Sequence, residues 1–413
     1  MRNLLAALMS AALTTALSFN TNTPAAAAEL QAEVMHWWTS GGESAAVKVF
    51  AEQFTKAGGT WIDTAIADGA TARAAEVNRV VGGKPPTAMQ FNTGAQFDDL
   101  VKGGLLRDVD AIATVGNWRK IMPAAVIDAI TRDGKIHAVP VNIHATNWLW
   151  YNKAVFEKAG ATVPATFDEL FAALDKIKAT GVIPFALAGQ KWVENETFNS
   201  VLAGLDHDLY VKLFTKRDAA LLKVKGFRAA AETFIKLRGY VDPSSPGRNW
   251  NDATSMVITG KAGVQLMGDW AKGEFNAAGQ TAGKEYGCAI VGQSYVMGGD
   301  VFVFPKINDP NQIAAQDLLA KTFLDPETQV KFNTKKGSIP VRTDIDVSSM
   351  DPCAQTGAKL LADPKHQAPN ISIVVPASVV GAVEDVVSQF WNTPAMSIDD
   401  FIAKYAVALK SDL

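Results

Sequence analysis

The stretch "AEVMHWWTSGGESAAVKVFAEQFTKAGGTWIDTAIA", residues 32–67, changes its hydrophobic period twice. Its beginning and its end are typical of β-strands, whereas the segment between them carries apolar residues at helical spacing. Ser44 is the expected N-cap of this helix, and Gly58-Gly59 ends it. The stretch therefore indicates a strand–helix–strand unit with parallel strands.

The same alternation continues along the next residues. "TARAAEVNRVVGG" (71–83) is helical, "PTAMQFN" (86–92) is a strand, and "AQFDDLVKGG" (95–104) is helical again. This order predicts an α/β fold with a doubly wound parallel sheet. Such sheets bind ligands beyond the carboxyl ends of their strands. We therefore expect one crevice to be lined by Trp37, Trp38, Gln90 and Asn92.

The later part of the chain changes character without a flexible linker. Thr166 and Glu169 form a capping box at the start of a helix, and a helix-rich stretch follows to about Arg238. Residues 257–275 have the pattern of a helix end, a strand, and a loop that carries Asp269 and Trp270. The length is sufficient for two domains. Without a linker between them, several chain crossings are expected.

The N-terminus predicts export from the cytoplasm. Arg2 precedes the uncharged apolar run Leu4–Leu17, and Ala25–Ala28 supply small residues for cleavage. Residues 1–28 are therefore predicted to be a signal peptide, and the mature chain is expected to be a soluble periplasmic protein. The formal net charge is −3 and no basic block occurs, so nucleic-acid binding is not expected.

The sequence contains two cysteines, Cys288 and Cys353. An exported chain can form a disulfide, and we expect this pairing over two free thiols.

No strong catalytic or metal-binding motif is found. His137 and His144 lie seven residues apart without a carboxylate or cysteine in ligand spacing, so no metal site is expected. A weak alternative is a glycosidase pair drawn from Glu43, Asp269 and Asp300. The distinctive feature is instead the ten tryptophans, several of them beside amides and acids. Tryptophan covers the apolar face of a sugar while neighbouring polar groups bind its hydroxyls.

Five blocks in order resemble the periplasmic glucose-binding proteins of bacterial ABC importers, which belong to the wider group that includes the maltose-binding protein. These blocks are "EVMHWWTSGGE" (33–43), "VPVNIHATNWLWYNKAVFEKAG" (139–160), "TFDEL" (166–170), "MVITGKAGVQLMGDWAKGEF" (256–275) and "KKGSIPVR" (335–342). The resemblance implies two α/β lobes, each with a mostly parallel sheet flanked by helices. A hinge of several strands would join them. We assign residues 29–141 with 300–342 to the N-terminal lobe, and 142–299 with 343–413 to the C-terminal lobe.

The resemblance also implies the residues of a sugar site in the cleft between the lobes. They are Trp37, Trp38, Glu43, Gln90, Asn92, Trp250, Trp270, Asp300 and Lys336. Two positions depart from the family pattern. Asn92 replaces a Lys or His, and the apolar Val375 replaces a histidine. The change at Val375 is expected to leave room for a substituent on the ligand.

The implied function is that of a monomeric receptor that binds glucose or a related hexose or glycoside between its lobes, needs no cofactor and catalyses nothing. Its partners would be the membrane permease and its ATPase. Two alternatives remain at this point. One is a secreted glycoside-processing enzyme. The other is an opine or peptide receptor that pairs a ligand carboxylate with Arg248 or Arg342.

Overall fold

The structure is a computed structural model that describes residues 30–292 and 294–412. The predicted signal peptide, residues 1–28, lies outside the described residues. In the described chain the strands are β1 Leu30–His36, β2 Gly59–Ala65, β3 Ala88–Asn92, β4 Thr131–Arg132, β5 Lys135–Ile136, β6 Ala138–Pro140, β7 His144–Ala145, β8 Trp148–Asn152, β9 Ile183–Phe185, β10 Ala262–Met267, β11 Tyr286–Ile290, β12 Tyr295–Gly298, β13 Asp300–Val303 and β14 Gln367–Pro369.

The helices are α1 Gly41–Lys56, α2 Gly69–Val81, α3 Asp98–Lys102, α4 Asp110–Val115, α5 Trp118–Ile121, α6 Ala124–Ile130, α7 Lys153–Ala159, α8 Phe167–Ala179, α9 Lys191–Leu205, α10 His207–Lys216, α11 Lys225–Lys236, α12 Trp250–Ile258, α13 Ala271–Ala277, α14 Pro310–Phe323, α15 Pro326–Lys336, α16 Pro352–Leu361, α17 Ile371–Val374, α18 Ala377–Asn392 and α19 Ile398–Ala408. Short 3-10 helices cover Ala95–Phe97, Ala219–Lys223 and Leu237–Tyr240.

The first helix begins earlier than its sequence indicated. Ser40, not Ser44, is the N-cap, and its hydroxyl accepts from the backbone nitrogen of Glu43 at 3.4 Å. The Ser40 hydroxyl also donates to the Glu43 carboxylate, so this residue pair fixes the first turn. Gly41 and Gly42 are therefore helical, and Glu43 lies at the positive end of the helix. The predicted cap at Thr166 is confirmed, since its hydroxyl accepts from the backbone nitrogen of Glu169.

Two sheets form the centres of the two predicted lobes. The first has the strand order β2-β1-β3-β13-β6 and the second the order β11-β8-β10-β9. In each sheet most strands share one direction, as expected. The exceptions are β13 in the first sheet and β8 in the second, which pair antiparallel to both neighbours. Each of these reversed strands is the one that the chain enters directly from the other sheet.

The segments that connect the two sheets pair with one another and form the hinge. β7 lies on the segment from β6 to β8, β12 lies on the segment from β11 to β13, and these two strands are antiparallel partners. A further segment leads from α15 to α16, and its Ile339 exchanges backbone hydrogen bonds of 2.8 and 2.9 Å with Ile143. The predicted hinge of several crossings is thus confirmed, while the exact lobe boundaries remain a prediction.

Aromatic clusters fill the interior on either side of the hinge. Beside the first sheet, the rings of Phe50 and Phe332 stack at 4.1 Å between their centroids. Beside the second, Phe198 packs between α11 and α19, where Phe390 and Phe401 stack at 4.1 Å. Cys288 of β11 and Cys353 of α16 are joined by a disulfide, the pairing expected from the sequence. This bond ties the last connecting segment to the second sheet.

Candidate functional site

The paired tryptophans after β1 lie in different environments. Trp38 is 1% exposed and packs against Phe302 and Phe332 of the core, at 5.8 and 5.4 Å between ring centroids. Trp37 stays partly exposed, and the Arg73 guanidinium lies 5.3 Å from its ring. One tryptophan therefore anchors the end of the strand, while the other lies against α2. A direct sugar contact remains a prediction for both, and Trp37 offers the more accessible ring.

A hydrogen-bonded network joins the strand ends beneath Trp37. Gln90 accepts from the backbone nitrogen of Trp37 at 3.0 Å and donates to Asp300 Oδ1 at 3.1 Å. Asn142 donates to Asp300 Oδ2 at 2.8 Å. Burial would raise the pKa of Asp300, but the nearby His144, Lys336 and Asn142 outweigh this effect and hold the pKa below its usual value. Gln90 is fully buried, so its main contribution is to position Trp37 and Asp300.

Glu43 and Lys336 form a buried ion pair beside these residues. Lys336 Nζ lies 2.8 Å from Glu43 Oε1, and the two side chains are 3% and 9% exposed. The same ammonium lies 5.4 Å from the ring of Trp38 and 5.7 Å from that of Trp270. Lys336 therefore brings α1, α15 and the Trp270 loop to one point, as expected for members of one site.

The opposite wall is aromatic as well. Trp270 follows β10, and its ring centroid lies 5.3 Å from that of His144 and 6.2 Å from that of Trp192. His144 Nδ1 lies 3.6 Å from Asp300 Oδ2, which links this wall to the network beneath Trp37. His144 and Trp192 were not assigned to the site from sequence. Trp192 lies in "QKWVENE", a tryptophan beside amides and acids, and that pattern could have identified it.

Trp250 and Asn92 lie at element ends without a demonstrated ligand role. Trp250 is the first residue of α12, and its backbone nitrogen donates to Gln190 Oε1. The Trp250 ring is partly buried against the core. The backbone nitrogen of Asn92 donates to Gln96 Oε1, and its side chain keeps partial exposure. Their contacts with a sugar remain predictions.

The segment after β14 approaches the loop that follows Asn92. A Cβ atom on Gly94 would lie 2.3 Å from the Cα of Ile373, so the two backbones are in close contact. Val375 ends this segment and is fully buried. The structure therefore leaves no open space beside Val375, contrary to the expectation of room for a ligand substituent.

Three carboxyl groups in this region have raised pKa values. Burial raises the pKa of Asp269 to about 7, and that of Glu76 to about 8. Burial also raises the pKa of Glu384 to about 7, although Arg73 opposes the shift. Arg73 belongs to α2 beside the first sheet and Glu384 to α18 beside the second, so their charges interact across the cleft. Asp269 was named from sequence as a functional acid only within the glycosidase alternative, and Glu76 and Glu384 were not named at all, because burial by distant elements decides the chemistry of these acids.

The two lobes meet in this conformation. A Cβ atom on Gly42 would lie 2.4 Å from the carbonyl carbon of Gly273, so the turn before Glu43 touches α13 directly. Asn276 of α13 donates to the carbonyl of Thr334 in α15. The cleft is therefore closed at the end where α1 and α13 meet.

The candidate arginines for a carboxylate ligand are engaged elsewhere. Arg248 makes two hydrogen bonds of 2.8 and 2.6 Å to Asp242. Arg342 makes two of 2.9 and 2.7 Å to Asp344. Both guanidinium groups are thus already paired with carboxylates of this chain, and the alternative of an opine or peptide receptor loses its basis.

The described part of the chain was also compared with the requirements of a metal site and of a membrane-spanning helix. Between residues 30 and 412, Gln293 aside, no three His, Cys, Asp or Glu side chains are grouped so that they could hold a metal ion. Within the same residues, no helix has the length and apolar character required to cross a membrane.

Comparison with known proteins places the chain in a family. The family model of the bacterial extracellular solute-binding proteins matches residues 26–379. A protein of Rhizobium meliloti named "probable sugar-binding periplasmic protein" is 39% identical over 380 residues, which cover 90% of this chain and 91% of that protein. An ABC transporter extracellular-binding protein of Pyrococcus horikoshii is 31% identical, covering 92% of this chain and 88% of its own length.

A solved structure shows the same fold. A chitin oligosaccharide binding protein superposes with a TM-score of 0.79 over 92% of this chain and 98% of its own, at 19% identity. This identity supports the fold alone, and it confirms the two-lobed architecture expected from sequence. The family binds solutes outside the cytoplasm and is not a family of enzymes, which removes the glycoside-processing alternative. This chain belongs to the bacterial extracellular solute-binding proteins.

Proposed function

We propose that the protein binds a hexose or a hexose-containing glycoside in the cleft between its lobes and delivers it to the permease of an ABC importer. The observation that carries the proposal is the pair of aromatic walls. Trp37 lies on the side of the first lobe. Trp192 and Trp270 lie on the side of the second lobe, with 6.2 Å between their ring centroids. Each of these rings is partly exposed, so each can cover the apolar face of a sugar.

Polar groups beside the walls supply the other half of carbohydrate recognition. Asp300 and the Glu43–Lys336 pair are held rigidly by neighbours, so they can bond hydroxyl groups without being reorganised. Rigid positioning lowers the entropy cost of binding. The curated relatives named as sugar-binding and as ABC transporter components support the substrate class and the permease partner.

A thermal-shift screen over monosaccharides, disaccharides and glycosides tests the proposal. A ligand at a hundred times its Kd stabilises the folded state by about 2.7 kcal/mol, which gives a clear rise in Tm. We expect at least one carbohydrate to do so, and its recovery unchanged after prolonged incubation would exclude turnover. Stabilisation by an opine or peptide, with no carbohydrate active, would contradict the proposal.

A further inference from the structure

Arg73 of α2 differs from the other arginines of the structure. Those between residues 30 and 412, Gln293 aside, form ion pairs with carboxylates, except Arg238, which donates to the carbonyl of Phe390. Within the same residues, Arg73 makes no hydrogen bond and no ion pair within 4.0 Å. A guanidinium carries a permanent charge and five N–H donors, so those of Arg73 have no acceptor in the described chain.

Arg73 lies at the Trp37 wall of the cleft. Its guanidinium carbon is 5.3 Å from the centroid of the Trp37 ring. The backbone nitrogen of Trp37 donates to Gln90, and Gln90 in turn donates to Asp300. Arg73 therefore belongs to the candidate site and not to a separate surface.

Gly69, the first residue of α2, leaves the space in which the two side chains meet. A Cβ atom on Gly69 would lie 3.0 Å from Arg73 Nη1 and 3.4 Å from Trp37 Cδ2, which is closer than such atoms usually approach. A guanidinium beside an indole ring is attracted by the charge distribution of the ring. The position of Arg73 is thus set by Trp37 and Gly69 rather than by a carboxylate.

The acids around Arg73 do not form an ion pair with it. Those whose charges act on it are Glu384 of α18 in the opposite lobe, Glu76 of its own helix and the exposed Asp68. Asp68 Oδ1 already accepts from the backbone nitrogen and the hydroxyl of Thr71. Burial raises the pKa of Glu76 to about 8 and that of Glu384 to about 7, so both are largely protonated in mildly acidic solution.

The surroundings of Arg73 make an uncompensated charge costly. The side chain is partly buried, and burial lowers the pKa of its guanidinium, although the three acids oppose this shift. Removing a charge from water without a partner is unfavourable. An anionic ligand in the cleft supplies the partner that the chain does not.

A carboxylate fits this guanidinium better than the other groups that a sugar can carry. The parallel N–H groups of an arginine match the two oxygens of a carboxylate, and such charged hydrogen bonds are roughly twice as strong as neutral ones. A hydroxyl group accepts from a guanidinium but leaves its charge unbalanced. A phosphate brings nearly two negative charges to a single cation.

We infer that the cleft takes a hexose that carries a carboxylate, a uronic acid or its glycoside, and that Arg73 binds this carboxylate beside Trp37. Asp300 and the Glu43–Lys336 pair then bond the hydroxyl groups of the same sugar. This inference rests on the proposed function and narrows its substrate class.

The test compares sugars of the same shape that differ in charge. Titration calorimetry at about pH 6.5 uses glucuronate, its neutral amide glucuronamide, glucose and glucose 6-phosphate, together with galacturonate and galactose. We expect a uronate to bind at least about tenfold more tightly than its neutral counterparts, because it forms the charged pair of hydrogen bonds. The advantage should shrink severalfold in about 0.5 M salt, because screening weakens only the ionic part of binding.

Two variants of Arg73 locate the effect. Arg73→Gln removes the charge, and the ratio of uronate affinity to hexose affinity should fall close to one. Arg73→Lys keeps the charge but loses the planar pair of donors, so it should retain part of the ratio. Arg228→Gln, at a side chain of α11 that is 45% exposed and paired with Asp399, is the matched control and should keep the wild-type ratio. Circular dichroism of each variant shows whether it is folded.

The outcomes separate this inference from the proposed function. Neutral sugars that bind as tightly as uronates, or a hexose phosphate that binds more tightly, would overturn the inference and leave the proposed function intact. A ratio that survives in Arg73→Gln would also overturn it. Equal losses for uronate and hexose in Arg73→Gln would assign Arg73 to lobe closure and overturn it as well. If no carbohydrate in the wider screen binds, the proposed function fails, and the inference fails with it.

Discussion

Glu274 Oε1 lies 2.7 Å from the backbone nitrogen of Gly42, so a side chain of α13 accepts from the first turn of α1 in the opposite lobe. A carboxylate at the N-terminus of a helix is stabilised by the helix dipole. The hydrogen bond can form only because neither Gly42 nor Gly273 has a side chain at the contact. These residues therefore define how closely the lobes approach.

Gly42→Ala is expected to weaken ligand binding by roughly 1–3 kcal/mol, because the new Cβ atom prevents full closure. Small-angle scattering should show less compaction on addition of the ligand than in the wild type. Gly239→Ala, where a Cβ atom meets nothing within 4 Å, is the control. A Gly42→Ala protein with wild-type affinity and compaction would show that this contact does not limit closure.

The two neighbouring tryptophans should separate stability from binding. Trp38→Ala removes a fully buried ring and is expected to lower the free energy of unfolding by about 3–5 kcal/mol. Trp37→Ala removes a partly exposed ring and should cost less stability but weaken sugar binding at least tenfold. Urea unfolding and calorimetric titration of both variants check this. Equal losses of stability would contradict the difference in their surroundings.

Two acids with raised pKa values predict that stability falls as the pH rises. Folded-state pKa values of about 8 for Glu76 and about 7 for Glu384 lie above the ordinary value of 4.5. Within that window the folded state retains protons that the unfolded chain has released, so the ligand-free protein should be less stable at pH 8 than at pH 5.5. The pKa of Asp300 is lowered, so protonation of Asp300 changes the stability only at more acidic pH and does not offset this trend.

Glu76→Gln isolates the contribution of one such acid. One pKa unit corresponds to about 1.4 kcal/mol, so we expect this neutral isostere to stabilise the protein by roughly 1–3 kcal/mol at pH 8. Its effect at pH 5.5 should be small, because Glu76 is protonated there. Urea unfolding at both pH values measures the difference. Destabilisation at pH 8 would mean that Glu76 is ionised and paired in the folded state.

Removing the disulfide should destabilise the second lobe. Cys288 and Cys353 enclose a loop with a sequence separation of 65 residues. The double variant Cys288→Ser/Cys353→Ser is expected to lose roughly 2–4 kcal/mol of the free energy of unfolding. Urea unfolding of oxidised wild type, reduced wild type and the variant checks this. A reducing agent that has no effect on the wild type would count against a structural role.

Local sequence patterns predicted most of the fold. The strand–helix alternation from β1 to β3, the cap at Thr166 and the loop at Trp270 follow from residues that are close in sequence. The cap of α1 was misplaced, because Ser40 and Ser44 both precede a helical pattern, and only the first pairs with Glu43. Gly41 and Gly42 lie inside α1 rather than before it.

The site was harder to predict, because distant contacts define it. Nothing near Trp38 in the sequence shows that Phe302 and Phe332 enclose its ring. The roles of Arg73 and Glu384 depend on the approach of α2 and α18 across the cleft, which no local pattern encodes. Glu43 and Lys336 were assigned through family resemblance, and their ion pair supports a common location rather than a ligand contact.

The central claim is that a carbohydrate binds between the aromatic walls. Calorimetric titration with the carbohydrate that raises Tm most in the thermal screen tests it most directly. The titration compares the wild type with Trp270→Ala and with a control variant, Trp61→Ala, at a partly buried tryptophan of β2. We predict that Trp270→Ala loses about 2 kcal/mol or more of binding free energy, as buried aromatic contacts do, while Trp61→Ala binds normally. Unchanged affinity in a folded Trp270→Ala protein would contradict a binding site in this cleft.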